Sequence, residues 1–202
     1  MFSIGFDVLA LTQAMDRVRC VGQSAWSLVA QVGSQRQDRN GRIHGRCYVF
    51  CGKKRGEHVG KTKCGKGTKT MLLTDGNGIP LGTTISTASR NDVRLIEDLL
   101  DQRVLRRRVR RLIYDKAADS DPLRKRLKDR GTELITPHQT GRKKPPTQDG
   151  RKLRRYRKRW KVERTFSWMQ NFRRTITRFE YYAHLFHGFV KLACIMILIK
   201  RF

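Results

Sequence analysis

The sequence predicts an α/β fold in which a mixed central sheet is flanked by helices. From Gly52 onwards, patterns typical of a hairpin, a helix, a strand, a helix, a strand and a long helix follow one another. Elements in this order assemble into one sheet covered by helices. The 202 residues, of which 38% are hydrophobic, suffice for one modest core. Residues 1–45 show no clear pattern and are predicted to form an irregular segment.

The first part of the predicted sheet contains a strand and a β-hairpin. RCYVFC predicts the strand, and TKTMLLTD and IPLGTTIST predict the two arms of the hairpin, joined by a tight turn from Gly76 to Gly78. The intervening GKKRGEHVGKTKCGKGTK predicts a loop rich in glycine and lysine. Two interpretations of this loop stay open, a phosphate-contacting loop and a solvated surface loop.

The second part of the fold alternates helices with strands. Asn91 predicts the N-cap of a helix that runs to Gln102, and RLIYD predicts a short buried strand. Ser120 or Asp121 caps the next helix, which Gly131 ends. ELITP then predicts a further strand.

Two helices complete the predicted fold. A long helix begins near Arg151, and a final helix runs from Ala183 to Lys200. Apolar residues at helical spacing predict the core face of the long helix. These residues are Trp160, Val162, Phe166, Met169 and Phe172.

The charge of the chain predicts a polyanionic partner. Lys and Arg number 45 and Asp and Glu 17, which gives a net charge of +28. Nucleic acid is the first candidate, because each phosphate contact releases condensed counterions. An anionic membrane is disfavoured, because no lipidation motif is present and the apolar run Leu192–Ile199 is far shorter than the roughly 20 residues of a membrane span. A cytoplasmic, nucleoid-associated protein is expected.

The cysteines and histidines leave two interpretations open. Five residues that can bind zinc lie close together in the sequence: His44, Cys47, Cys51, His58 and Cys64. Zinc knuckles use a pair of cysteines with two residues between them, and this spacing is absent from the five residues. Scattered free thiols are therefore favoured over a zinc site.

Several acidic residues are candidates for chemistry. Asp115 ends the RLIYD strand, where open α/β sheets place ligands, although from position alone an ordinary strand-end Asp that caps the following loop is the favoured explanation. Asp119 and Asp121 are interpreted as helix N-cap acids. Glu163 lies among basic residues, and a salt bridge to Arg159 is the simplest structural explanation for it.

Five segments in order carry a resemblance to a known family. They are KKRGEHVGKTKCGKGTK, LLTDGNGIPLG, ASRNDV, LIYDKAADSDPLRKRL and RKLRRYRKRWKVERTFSWMQNFRR. The region from Lys53 to Phe202 is thereby similar to the catalytic region of bacterial insertion-sequence transposases of the DDE class. The resemblance implies an RNase H-like catalytic domain over residues 46–202, and Mg²⁺ or Mn²⁺ held by a triad of two Asp and one Glu.

The resemblance also implies roles for single residues. Asp115 matches the second Asp and Glu163 matches the Glu, so both are implied to be catalytic metal ligands. Tyr156 and Arg159 match the spacing of a Tyr and an Arg that precede the Glu. Two features depart from the family: Gln170 replaces a Lys of some relatives, and KAADSD replaces a basic and aromatic turn.

A third departure concerns the first Asp of the triad. Counting back from KKRGE places this Asp at about position 46, where the chain has Arg46. We therefore expect strand cleavage by this chain to be impaired. A frameshift is one hypothesis: if the Arg46 codon ends in GA, the next frame across codons 46 and 47 encodes Asp. A truncated or frameshifted copy would then explain the unmatched residues 1–45.

Basic side chains are the candidates for DNA contacts. Between Arg142 and Lys161 there are 11 Lys or Arg in 20 residues, a density more easily explained by bound phosphates than by a solvated helix face. The predicted DNA-binding residues are Lys61, Lys63, Lys66, Lys69, Arg151, Lys152, Arg154, Arg155, Tyr156, Arg159 and Arg164.

Three functional hypotheses follow. The first is an insertion-sequence transposase that binds double-stranded DNA at transposon ends and target, with a homodimer as a further expectation. The second is a non-catalytic DNA-binding protein derived from a transposase. The third, a basic RNA-associated protein, is disfavoured because the matched segments would then coincide by accident.

Overall fold

The computed structural model describes residues 41–52, 56–62, 65–104, 108–148 and 150–200. Most of the segment predicted to be irregular lies outside these residues, and the first strand already begins at Arg42. None of the helices in the described part of the chain combines the length and apolar character that a bilayer crossing requires.

One sheet forms the centre of the described part. Its strands are β1 (Arg42–Gly52), β2 (Gly60–Thr62), β3 (Gly65–Asp75), β4 (Pro80–Thr87), β5 (Arg111–Ile113), β6 (Glu133–Ile135) and β7 (Thr177–Arg178). The α-helices are α1 (Asp92–Asp101), α2 (Asp121–Asp129), α3 (Gly150–Leu153), α4 (Trp160–Gln170), α5 (Arg173–Ile176) and α6 (Ala183–Ile199), and 3₁₀ turns cover Lys116–Ala118 and Arg154–Arg159.

The sheet is mixed, as predicted. Its strands follow the order β2, β3, β1, β5, β6, while β4 pairs with β3 and β7 pairs with β1. β1 and β3 are antiparallel, whereas β1 with β5 and β5 with β6 are parallel. β5 pairs with the beginning of β1 and β7 with its end, so the two strands lie on the same edge of β1.

Helices cover both faces of the sheet and bury two cores. Met71 and Leu73 pack with α1 and α2 on one face, while Leu72 packs with α4 and α6 on the other. This alternation follows from the two-residue period of a strand. It explains why β3 is apolar on both faces, as expected of a strand covered on both sides.

The turn of the predicted hairpin is organised by a buried carboxylate. Oδ1 of Asp75 accepts hydrogen bonds from the backbone N–H groups of Asn77 and Ile79, both at 2.8 Å. Gly78 has a φ of 84°, a left-handed conformation that glycine adopts at little cost. The predicted hairpin and its turn are therefore confirmed.

Helix α4 is attached to this turn by three side chains. They donate hydrogen bonds to three consecutive carbonyl oxygens, Lys161 to Gly76, Arg164 to Asn77 at 2.9 Å and Thr165 to Gly78 at 2.6 Å. We call this set of bonds the hairpin clasp. It fixes the height of α4 above the sheet, which matters because α4 carries Glu163.

The first two helices match their predicted ends. The Asn91 side chain accepts a hydrogen bond from the Val93 N–H at 3.0 Å, and α1 is capped at Gln102. Ser120 is the N-cap of α2, and Gly131, with a φ of 75°, follows its last turn. Helix α6 also spans the predicted range within one residue.

The predicted long helix from Arg151 is wrong as a continuous element. It divides into α3, a 3₁₀ segment and α4. The 3₁₀ segment has the sequence RRYRKR, and repulsion between like charges one turn apart disfavours a regular α-helix there. The predicted core face is correct for Val162, Phe166 and Met169, whereas Trp160 is 50% exposed.

We predict that Gly78→Ala destabilises the protein. A Cβ at this position would lie 3.1 Å from the Lys161 carbonyl oxygen, and the left-handed backbone disfavours any side chain. The expected loss is about 1–3 kcal/mol in free energy of unfolding, measured by urea denaturation.

Gly188→Ala is the matched control. Gly188 lies inside α6, and a Cβ there meets nothing within 4 Å. We expect this substitution to stabilise the protein by up to about 1 kcal/mol. Equal effects of the two alanine substitutions would contradict the role of the turn.

Candidate acid site and nucleic-acid interface

Asp115 lies just beyond β5, where the strand gives way to a 3₁₀ turn. Its Oδ1 accepts a hydrogen bond from the Ala117 N–H at 3.0 Å and so caps the turn. Burial raises the pKa of Asp115 above its ordinary value and the charge of Asp92 adds to the rise, while the Ala117 N–H and the positive charges of Arg159 and Arg46 oppose it. Asp115 is thus a partly buried acid that is influenced by one further carboxylate and two cations.

Glu163 projects from α4 into the same cluster. Its Oε1 accepts a hydrogen bond from Nη2 of Arg159 at 2.6 Å, so the predicted salt bridge is confirmed. The same oxygen is ion-paired with Nη1 of Arg46 on β1. The side chains of Arg46 and Glu163 are 31% and 37% exposed, so the pair lies at the surface edge of the site.

Tyr156 contacts Arg159, the cation that binds Glu163. Its ring centroid lies 5.0 Å from the guanidinium carbon of Arg159. Burial raises the pKa of Tyr156; the positive charge of Arg159 opposes this rise, and the charges of Asp115 and Glu163 add to it. The structure therefore brings Tyr156, Arg159, Asp115 and Glu163 together with Arg46, and we call these five residues the acid site.

The acid site does not fit a divalent metal ion. Mg²⁺ requires oxygen ligands, and here Arg46 and Arg159 both bind the Glu163 carboxylate. Within the described residues, no three His, Cys, Asp or Glu side chains are grouped closely enough to hold a metal. Of the five candidate zinc ligands, Cys64 lies outside the described residues, so zinc binding by the five stays untested.

Asp119 is the centre of a separate buried network. Its carboxylate accepts hydrogen bonds from Arg124 at 2.6 Å, Arg142 at 2.8 Å and the Gln139 N–H at 2.9 Å. Burial alone would raise the pKa of Asp119, but these bonds outweigh it and lower the pKa to about 2. The interpretation of Asp119 as a helix N-cap is wrong, because Ser120 is the N-cap of α2 and Asp119 instead anchors the loop after β6.

Lys69 differs from the surface lysine that a phosphate contact requires. Its side chain is 10% exposed, and Nζ lies 2.7 Å from Oδ1 of the buried Asp92. Asp92 also accepts a hydrogen bond from the Tyr114 hydroxyl at 3.5 Å. Sequence reasoning missed this pair, although the position of Lys69 two residues before the apolar run Met71–Leu73 of β3 was a signal for it.

The other predicted DNA-binding residues fall into two groups. Lys61, Lys66, Arg151, Lys152 and Arg154 are exposed, whereas Arg155, Tyr156, Arg159 and Arg164 are partly buried; Lys63 lies outside the described residues. Lys152 pairs with Glu133 at 2.7 Å. Arg164 stacks between Trp160 and Trp168, with its guanidinium carbon 4.8 and 4.6 Å from the two ring centroids.

Comparison with known proteins identifies the family. Residues 41–198 match the model of the transposase DDE domain. The chain is also 31% identical over 210 residues to the transposase described for insertion sequence element IS402 of Burkholderia cepacia, covering 96% of this chain and 93% of that protein. The chain belongs to the DDE-domain transposases. It is by homology an insertion-sequence transposase, and the resemblance recognised from Lys53 onwards is confirmed.

The fold agrees with this family. The piggyBac transposase, solved as a synaptic complex with hairpin DNA, superposes with a TM-score of 0.59 at 11% identity. The match covers 80% of this chain, which spans only 47% of that transposase. The predicted fold class, a mixed sheet with flanking helices, is therefore confirmed. The similarity to the IS402 protein covers nearly the whole chain and so extends beyond the region in which the resemblance was recognised.

We predict that Asp119 stabilises the fold in a pH-dependent way. Its pKa is lowered from 3.8 to about 2 in the folded protein. The contribution of the ionised carboxylate to the free energy of unfolding is therefore fully present above about pH 4 and is lost as the pH falls towards 2. The expected amount is about 2 kcal/mol, measured as the free energy of unfolding between pH 2 and pH 6. Asp119→Asn should remove this part of the pH dependence.

Asp101→Asn is the control for Asp119→Asn. Asp101 pairs with Arg130 at 3.1 Å, but its side chain is 62% exposed. Solvent screens such a pair, so we expect a loss below about 1 kcal/mol. A loss as large as that of Asp119→Asn would show that surface charge, and not the buried network, determines stability.

Proposed function

We propose that this chain is an insertion-sequence transposase polypeptide that binds double-stranded DNA and does not cleave it. The observation that carries the proposal is the ion pair between Arg46 and Glu163. A DDE enzyme needs three carboxylates around divalent ions, and here a guanidinium of fixed positive charge occupies the acid site.

Asp115 and Glu163 stay the predicted catalytic residues and metal ligands of this domain. Mg²⁺ or Mn²⁺ stays the predicted cofactor of a version with a third carboxylate at position 46. In this chain the ligand set does not fit the ion, so no metal-dependent step follows from its residues. The second sequence hypothesis, a DNA-binding protein derived from a transposase, is thus favoured over an active enzyme.

The basic surface beside the acid site supports DNA binding. The 3₁₀ segment carries five Arg or Lys in six residues, and it leads directly into α4 and Glu163. Exposed cations lie in this segment and in the preceding helix α3. They are Arg154, Arg157 and Lys158 in the segment and Arg151 in α3. Phosphate oxygens are natural partners for such a row of cations, because binding releases counterions. This row, together with Lys61 and Lys66, is our proposed DNA surface.

We expect duplex DNA to bind this surface in a salt-dependent way. Arg151→Ala with Arg154→Ala should weaken binding roughly ten-fold or more and reduce the slope of log K against log salt by about two, one unit for each lost phosphate contact. Fluorescence anisotropy with a labelled duplex of the insertion-sequence ends, titrated at several salt concentrations, measures both quantities.

Lys125→Ala with Lys128→Ala provides a control of equal charge. Both lysines are exposed on α2, in the layer opposite to α4. We expect little change in affinity from this pair. Equal effects of the two double variants would mean that net charge alone attracts DNA and would contradict a defined surface.

A basic RNA-associated protein is the remaining alternative. Competition between transposon-end duplex and unrelated structured RNA distinguishes the two, since the proposal expects the duplex to be preferred. Nucleoid association and a homodimer are further proposals. Sedimentation of the chain with and without the duplex would test the dimer.

The frameshift hypothesis is tested at the nucleotide level. We expect the Arg46 codon to end in GA, so that the shifted frame across codons 46 and 47 encodes Asp. The similarity to the IS402 protein over 96% of this chain argues against a shifted frame throughout residues 1–45. Sequencing codons 40 to 56 decides this. Any other third base would make Arg46 a genuine replacement, and would leave the DNA-binding proposal unchanged.

A further inference from the structure

We propose that Arg46 takes the place of a metal ion and gives the acid site a metal-independent site for a DNA phosphate. This inference rests on the proposed DNA binding and specifies how the acid site takes part in it. The ligand class is a phosphodiester, and the binding groups are the guanidinium groups of Arg46 and Arg159.

The charges of the acid site support this inference. Asp115 and Glu163 together would repel a phosphate that approaches them. Arg46 and Arg159 bring two positive charges to the same place, since both act on Asp115 and both bind Glu163. Relative to a carboxylate at position 46, a guanidinium changes the local charge by the same amount as one bound divalent cation.

The geometry leaves the guanidinium of Arg46 accessible. Its bond to Glu163 uses Nη1, whereas a guanidinium presents N–H donors on three nitrogens. The side chains of Arg46 and Arg159 are 31% and 23% exposed, so a phosphate oxygen can approach from solvent. Planar guanidinium groups suit phosphate oxygens because they donate two parallel hydrogen bonds.

The backbone holds Arg46 in this position. β1 pairs with β3 along its length, and the Cα of Arg46 lies opposite that of Leu72. The neighbouring Gly45 packs against Tyr114, where a Cβ would lie 2.6 Å from the ring. Arg46 therefore projects from a well-fixed strand, and the cation is a permanent part of the site.

The test compares DNA binding in EDTA with binding in Mn²⁺ at constant ionic strength. For the unmodified chain we expect the same affinity for the labelled duplex in both buffers, and no change in melting temperature when Mn²⁺ is added without DNA. Loss of affinity in EDTA, or a rise in melting temperature with Mn²⁺, would overturn the inference.

Arg46→Asp should reverse this behaviour. We expect its affinity in EDTA to fall at least roughly ten-fold, the effect of replacing a charge-assisted phosphate contact by repulsion, and Mn²⁺ to restore it. Its melting temperature without DNA should rise on addition of Mn²⁺. Arg46→Ala should bind the duplex more weakly in EDTA, and Mn²⁺ should not restore its affinity. The control Lys125→Asp should show neither a comparable loss of affinity in EDTA nor a change on addition of Mn²⁺.

The outcomes separate this inference from the proposed function. If the unmodified chain binds no DNA in either buffer, the proposed function fails, and the inference fails with it. If the chain binds DNA but Arg46→Ala and Arg46→Asp bind as tightly in EDTA, only the inference fails. If the variants do not fold, the measurements on the unmodified chain still decide between metal-dependent and metal-independent binding.

Discussion

The attachment of α4 to the hairpin turn is the constraint on which the acid site depends. The hairpin clasp joins one face of α4 to three consecutive carbonyl oxygens, while the apolar residues of the helix pack on the sheet. Because the turn is itself held by the buried Asp75, the position of the helix is determined by backbone geometry. Glu163 therefore faces β1 whichever side chain stands at position 46.

This constraint explains how the fold accommodates a cation at position 46, where the proposed function expects an acid in an active relative. A buried carboxylate site without metal would suffer repulsion between its acids, which lowers stability. Arg46 removes this repulsion by pairing with Glu163 across the gap between β1 and α4. The ion pair is partly exposed, so its own desolvation is small. The domain thus keeps its packing with a cation at position 46, where the proposal expects a metal ligand in an active relative.

Much of the fold could be predicted from local patterns, because its signals are local. Asn91 caps α1 through its own side chain, and Gly78 adopts the left-handed conformation that its turn requires. The break before Trp160 could not be predicted in this way, since the apolar spacing of α4 says nothing about charge repulsion upstream. The burial of Lys69 was also missed, because its partner Asp92 lies in another element and is brought to it only by the tertiary fold.

The acid site shows the same division between sequence and structure. Asp115 and Glu163 were predicted from their resemblance to a family, and the structure adds that Arg46 and Arg159 both act on them. A sequence pattern identifies which acids belong to a site. The electrostatic potential in that site also depends on which cations the tertiary fold brings near the acids. Here two guanidinium groups balance two carboxylates. For that reason membership of the transposase family and the capacity for metal-dependent cleavage are separate properties, and we propose that this chain keeps the first without the second.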